Sequence, residues 1–227
     1  MNQTYDRMIE YSKLQDLADS LGRENAKLKS ELYNNQLYQA LQKESIVDTI
    51  YRQRFEVLHA QVINNSVTSR NNNITIDRGG RDGVKHGMGV VADVGIVGIV
   101  ENTSPSFSRV ISILHGSSRI SASLKSSRYF GTLVWKGFNP SRMALEAIPK
   151  HANIHSGDTV QTSGFSHIFP EGLAIGTIDT FWIDGGSNFY TVEVDLLNDL
   201  SKIDQVYVVE NLIKAEQDSL EMGRLNE

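Results

Sequence analysis

Glycine and proline are spread very unevenly along this 227-residue chain. Residues 1–55 hold one glycine, Gly22, and no proline, whereas sixteen of the eighteen glycines and all four prolines fall between Gly79 and Gly186. Both residue types interrupt helices and make turns. The front can therefore be helical while the body has to turn often, which predicts a helix over 1–55 followed by a mainly β body.

From Phe55 onward short apolar runs alternate with turn residues. Candidate strands cover 57–64, 73–77, 89–92, 96–101, 109–114, 120–125, 129–135, 143–147, 159–162, 174–181, 190–195 and 205–209, separated by turn chemistry such as Asp184-Gly185-Gly186 and Asn139-Pro140. Twelve short strands suit two six-stranded β-barrels. The first is expected to take 56–115 and recover closing strands near 190–210, with the second, 116–189, inserted between them and 211–227 left as a polar, frayed tail. Any open strand edge would offer a route to self-association by strand addition.

One turn-then-strand unit occurs twice. Gly79 is followed eight residues later by Gly87, with Val84 three before it and Met88-Gly89-Val90 after it. Gly164 is followed eight later by Gly172, with Phe169 three before it and Leu173-Ala174-Ile175 after it. The second copy keeps Phe165, Ile168 and Phe169 where a free loop would be polar. These three either fold back on a barrel mouth or meet a partner. Trp135 and Trp182, near strand ends, either plug a barrel or anchor a partner, and the plug is the commoner role.

The helical front carries a heptad. With Leu14, Leu21 and Leu28 at d, positions a are Tyr11, Ala18, Asn25 and Leu32. Glu24 at g and Lys29 at the following e have the spacing that pairs charges across a parallel dimer, and Asn25 is a register-fixing a residue. Gly22 weakens the helix by about 1 kcal/mol relative to Ala. The seven a and d residues form the expected homodimer interface, against the alternative of one amphipathic helix lying on its own domain. A second stripe, Leu37, Leu41, Val47, Tyr51 and Phe55, is expected to pack on the first barrel.

The run from Arg78 to Met88 (Arg-Gly-Gly-Arg-Asp-Gly-Val-Lys-His-Gly-Met), then Gly95-Ile96-Val97-Gly98-Ile99-Val100, then the stretch from Ser163 to Gly176, together resemble the MreC family. These are the bacterial rod shape-determining proteins of the cell-wall elongation machinery. The resemblance spans roughly residues 1–211, including the closing Val206-Tyr207-Val208-Val209. It implies the double-barrel fold, a role in rod-shape maintenance, and binding to the elongation-specific penicillin-binding transpeptidase, MreD and the actin-like MreB. It also implies a short cytoplasmic tail and a transmembrane helix ahead of the coiled coil, so that this chain is the part on the periplasmic side of the cytoplasmic membrane. Higher-order self-assembly beyond the dimer is a further expectation.

Composition narrows the alternatives. A net charge of −5, with no Lys/Arg cluster, argues against nucleic acid as a partner. The absence of cysteine removes thiol catalysis and disulfides but is compatible with either redox compartment. No run approaches the roughly 18 apolar residues of a membrane span.

Two barrels are also the body plan of chymotrypsin-like serine proteases, which need Ser, His and a buried carboxylate brought together. None of His59, His86, His115, His151, His155 and His167 stands in such a context, and His115-Gly116-Ser117 is only an imitation. His151 and His155 have i,i+4 spacing, but Pro149 and Ser156-Gly157-Asp158 oppose a helix there, so no metal is expected. The glycines of 79–83 precede a strand rather than a helix, so they are not a phosphate cradle. A coiled-coil transport adaptor would need a second antiparallel helix, for which 211–227 is too short. The expectation is a scaffold with no catalytic, cofactor or metal site.

Overall fold

The structure is a computed structural model that describes residues 3–43 and 54–224, with side chains at 10, 13–35 and 54–220. Helix α1 spans Gln3–Lys43. Twelve strands follow: β1 Phe55–Asn65, β2 Asn71–Ile76, β3 Gly89–Val91, β4 Ile96–Thr103, β5 Ser108–His115, β6 Ile120–Leu124, β7 Phe130–Val134, β8 Arg142–Pro149, β9 Thr159–Thr162, β10 Ala174–Ile183, β11 Phe189–Leu196 and β12 Gln205–Asn211, with α2 at Lys214–Arg224. Each strand lies where the alternating apolar pattern put it. Turn glycines with φ near +80°, such as Gly87, Gly95 and Gly172, separate them.

Both sheets close. Barrel 1 runs β1-β12-β3-β4-β5-β2 and back to β1, and barrel 2 runs β10-β11-β8-β7-β6-β9 and back to β10. Every neighbouring pair is antiparallel. Ala60, Ile74, Ile76, Val97, Val100 and Val110 are fully buried in barrel 1, and Leu124, Leu133, Leu145, Ile148, Val160 and Val192 in barrel 2. Closure alters one expectation: a barrel leaves no open edge, so strand addition loses its template.

Barrel 1 recovers β12 alone. β12 pairs with β1 from Phe55↔Asn211 to Gln61↔Gln205 and with β3 through Tyr207↔Val91. β11, expected to return with it, belongs to barrel 2, paired with β10 and β8. The tight Asp184–Gly186 turn, with Gly186 at φ 83°, makes β10 and β11 a hairpin, and so local pairing prevails over a long-range return. The inserted segment is thus 116–204. The tail is not merely frayed: the Asn211 side chain accepts the Ile213 N–H (3.2 Å), Lys214 pairs with Asp218, and Arg54 donates to Gln217 (3.4 Å).

The repeated unit is real at the level of hydrogen bonds. Gly87 N–H donates to Val100 O and Val100 N–H to Met88 O, both 2.9 Å. Gly172 N–H donates to Thr162 O (3.0 Å) and Thr162 N–H to Leu173 O (2.9 Å). The partner strand differs, however: β4 follows its turn, whereas β9 precedes it.

Candidate interaction surfaces

α1 has two faces that are engaged differently. One lies on barrel 1. Gly22 sits on the imidazole of His59, which is 2% exposed, and any side chain at 22 would occupy the space of that ring. Ala26 and Tyr33 are buried beside it. Further along, Ser30 Oγ donates to Phe55 O (2.9 Å), and the Asn34 amide accepts from Arg54 N–H (2.7 Å) and Phe55 N–H (3.0 Å) while donating to Phe55 O (3.0 Å). These bonds satisfy the backbone at the first residues of β1.

Lys29 also turns to barrel 1. Its ammonium lies 4.9 Å from the Tyr207 ring centroid, 3.3 Å from Asp93 O and 3.9 Å from the Asp93 carboxylate. Burial lowers its pKa, with Asp93 pulling the other way. Tyr33 is pushed up to about 12, chiefly by burial and then by Tyr207 and Asp93. Lys29, expected in a cross-dimer pair, is engaged within the chain, and Asn25, expected in the zipper, bonds the Tyr207 hydroxyl.

The other face is bare. Leu14, Leu21, Leu28 and Leu32 are 51–59% exposed, and Ala18 is exposed as well, while Asn25, exposed at the edge of the seam, turns its amide toward Tyr207. Leu17, equally exposed, extends this seam. Its i+3 spacing from Leu14 was a signal the heptad frame passed over. The side chain of Tyr11 lies outside the described residues, as do those of Leu37, Leu41, Val47 and Tyr51. Phe55 is not helical but opens β1, so the barrel-facing stripe of α1 is the upstream one, from Gly22 to Asn34.

The loop after β9 divides its three apolar residues. Phe169 is 2% exposed and lies across Gly89 of barrel 1, where a Cβ would come within 2.7 Å of its ring. Ile168 packs partly buried beside it, and Asn211 of β12 donates to His167 O (2.8 Å). Phe169 and Ile168 therefore join the two barrels and are not a free contact surface. Phe165 is 65% exposed and stacks edge-on with Phe130 at 5.2 Å on the outside of barrel 2. Trp135 is buried, its indole N–H bonded to Asn139 O (2.9 Å), whereas Trp182 is an exposed residue bonded to Asp184 and not a plug. β10 outlasts the barrel wall there, and only residues inside the wall can plug it.

The groups that could do chemistry are dispersed. Ser117 donates to His115 Nδ1 from its hydroxyl (2.8 Å) and its N–H (3.1 Å), closing an exposed turn. No described carboxylate orients that ring, so it is a turn cap and not a triad. Gly79 N–H is capped by Asp82 (2.9 Å), which occupies the donor a phosphate would use. His155 faces Asp158, His151 packs on Tyr129, and no metal-binding cluster forms among the described residues. A pocket of about 180 Å³ on barrel 1 is lined by Glu56, Val57, Asp82, Val84, Met88 and Glu210 among others, and holds no Ser or His. No described helix is long and apolar enough to cross a membrane.

Comparison with known proteins places this architecture. Residues 62–210 match the family described as rod shape-determining protein MreC, barrel core. The cell shape-determining protein MreC of Listeria monocytogenes is 30% identical over 178 residues, 77% of this chain and 55% of that protein. A solved MreC from Listeria monocytogenes superimposes with a TM-score of 0.69 at 28% identity, over 88% of this chain and 96% of the other. The MreC of a Helicobacter pylori complex between penicillin-binding protein PBP2 and MreC shares the fold, with a TM-score of 0.52 at 16% identity, over 69% and 99%. The chain spans 34–55% of the length of the curated relatives it matches. With the matched barrel core covering both closed sheets, this chain belongs to the MreC family.

Proposed function

We propose that the chain is a non-catalytic scaffold of the cell-wall elongation complex, dimerising through α1 and presenting two barrels to peptidoglycan synthases. The observation that carries this reading is the bare leucine seam on a helix whose opposite face is already docked. Five leucines at more than 50% exposure are hard to account for in a lone chain. A second copy laid along them buries all five. Dimerisation raises the effective concentration of whatever the barrels bind. In sedimentation equilibrium the wild type is expected to reach dimer with rising concentration, while Leu21→Asn/Leu28→Asn stays monomeric with an unchanged β spectrum. A wild type monomeric at every concentration would overturn the reading.

The elongation-specific penicillin-binding transpeptidase is the partner that the Helicobacter pylori complex suggests, and Phe165, paired with Phe130, is its candidate contact. Phe165→Ser is expected to weaken capture of that transpeptidase without shifting unfolding. MreD and MreB complete the proposed assembly, anchored at the periplasmic side of the cytoplasmic membrane by a helix preceding α1. Higher-order self-assembly would use barrel-to-barrel contact, since neither barrel offers an edge.

A further inference from the structure

Closure removes the edges of both walls, but β10 runs on past its wall. On the β9 side it pairs at Ala174, Gly176 and Thr177. Ile178 follows, donating its N–H to Asp158 O (2.9 Å) and accepting from Gly157 N–H (2.8 Å). Beyond that point no described strand lies on this side, while β11 and β8 continue the ladder on the other as far as Ile183↔Tyr190 and Phe189↔Pro149. The bulge at Asp179 shifts the alternation by one residue, so Phe181 and Ile183 turn their N–H and C=O outward, as Ile178 does before them. We infer that this free edge, residues 180–183, is a docking strand that takes an extended, basic segment of another protein by strand addition.

The edge lacks the devices that blunt exposed strands. It reads Thr-Phe-Trp-Ile, with no Lys and no Pro, and Trp182, Ile183 and Phe189 across the hairpin are 42–50% exposed. The matching overhang of barrel 1 is covered: β2 pairs with β1 only from Val62 onward, and Asn34 and Ser30 of α1 take up the Phe55 N–H and C=O. The β10–β11 hairpin is also stiff before anything binds. Asp184 accepts from the Trp182 indole and the Thr191 hydroxyl (both 3.0 Å), and Phe181 meets Tyr190 edge-on at 5.4 Å. A stiff edge loses little entropy on pairing. Charge decides the occupant. From Thr177 to Ser201 the chain has five carboxylates, with Asp179 and Asp184 at the two ends of the edge, and no Lys or Arg. Arg142 of β8 is already shared by Asp179, Glu193 and Asp195. A second copy paired antiparallel would set Asp179 against Asp184, whereas a segment with basic ends meets both.

The test is an NMR titration of the full chain with the acetylated hexapeptide Lys-Val-Thr-Val-Thr-Lys. The Phe181 and Ile183 amide protons should move downfield and become protected from exchange, and the absence of any shift at these two amides would overturn the proposal. Replacing both peptide lysines by glutamate should weaken capture by about tenfold, and equal capture would overturn the basic occupant. Ile183→Pro removes one outward N–H without touching the β11 ladder and should weaken capture by about fivefold. Ile183→Thr keeps that N–H and the branched side chain and should lose less; equal loss in the two would mean a side-chain contact, not a strand. Methylating the four internal backbone nitrogens of the peptide leaves its charge unchanged and should abolish the shifts. A methylated peptide captured as well as its parent would overturn strand addition even if Ile183→Pro fails to fold. Protection of the same amides on raising the protein concentration alone would make the occupant a second copy and overturn the proposal.

Discussion

Barrel 1 is joined to its two neighbours in different ways. Toward barrel 2 the junction is an aromatic ring: Phe169, 2% exposed, laid against a glycine that leaves room for it, with Ile168 and Leu173 packed around. Toward α1 the junction is carried by hydrogen bonds and a charge from Ser30, Asn34 and Lys29, beside the buried Ala26 and Tyr33 and the His59 ring under Gly22. Apolar burial involves no titrating group and no charge to screen, whereas polar and charged contacts trade almost evenly with water and respond to pH and ionic strength. The barrels should therefore move as one body, and the helix should be the part whose docking can be tuned.

That contrast can be broken at several points. Phe169→Ala should have the largest effect, lowering stability by about 3–5 kcal/mol in urea unfolding, because the vacated space between two closed barrels cannot collapse. A midpoint close to wild type would mean that the ring does not hold the barrels together. Gly89→Ala forces a methyl to within 2.7 Å of that ring and should lose about 1–3 kcal/mol. Combined with Phe169→Ala it should lose less than the sum, since the clash then has no target.

Gly22→Ala tests the other junction. In a free helix the change would gain about 1 kcal/mol. Here the methyl meets His59, so α1 should keep its circular dichroism while losing protection from proteolysis, with β-body unfolding unchanged. The smallest effect sharpens the polar side. The Tyr33 phenol sits at about 12 in the docked state, above its ordinary 10.0. Its contribution to docking is therefore whole below pH 10 and is lost as pH rises toward 12. Tyr33→Phe should remove that alkaline loss, followed by the distance between spin labels at Gln15→Cys on α1 and Asn71→Cys on β2, both exposed positions.

The two copies of the turn unit repeat the lesson on a smaller scale. Val84 and Phe169 stand at the same place in the repeat and are both 2% exposed. Val84 closes its own barrel, and Phe169 reaches into the neighbouring one. The local hydrogen-bond pair is the same, and what differs is where the body next to it lies.

Much was legible in the residues themselves. Glycine and proline placement marked the helical front and the turning body, alternation marked the twelve strands, and the leucine spacing marked a seam left exposed on α1. These are short-range properties, set by backbone sterics and side-chain periodicity within a few residues. The sheet that takes β11, the ring beneath Gly22, the docking of Lys29 and Asn25 on barrel 1, and the division of labour between Phe169 and Phe165 were not legible. Each depends on residues far apart in the chain meeting in space, as Gly89 meets Phe169 and Gly22 meets His59. A sequence records which residues can turn, pair or be buried, but the choice among partners is made by closure and close packing of the whole chain.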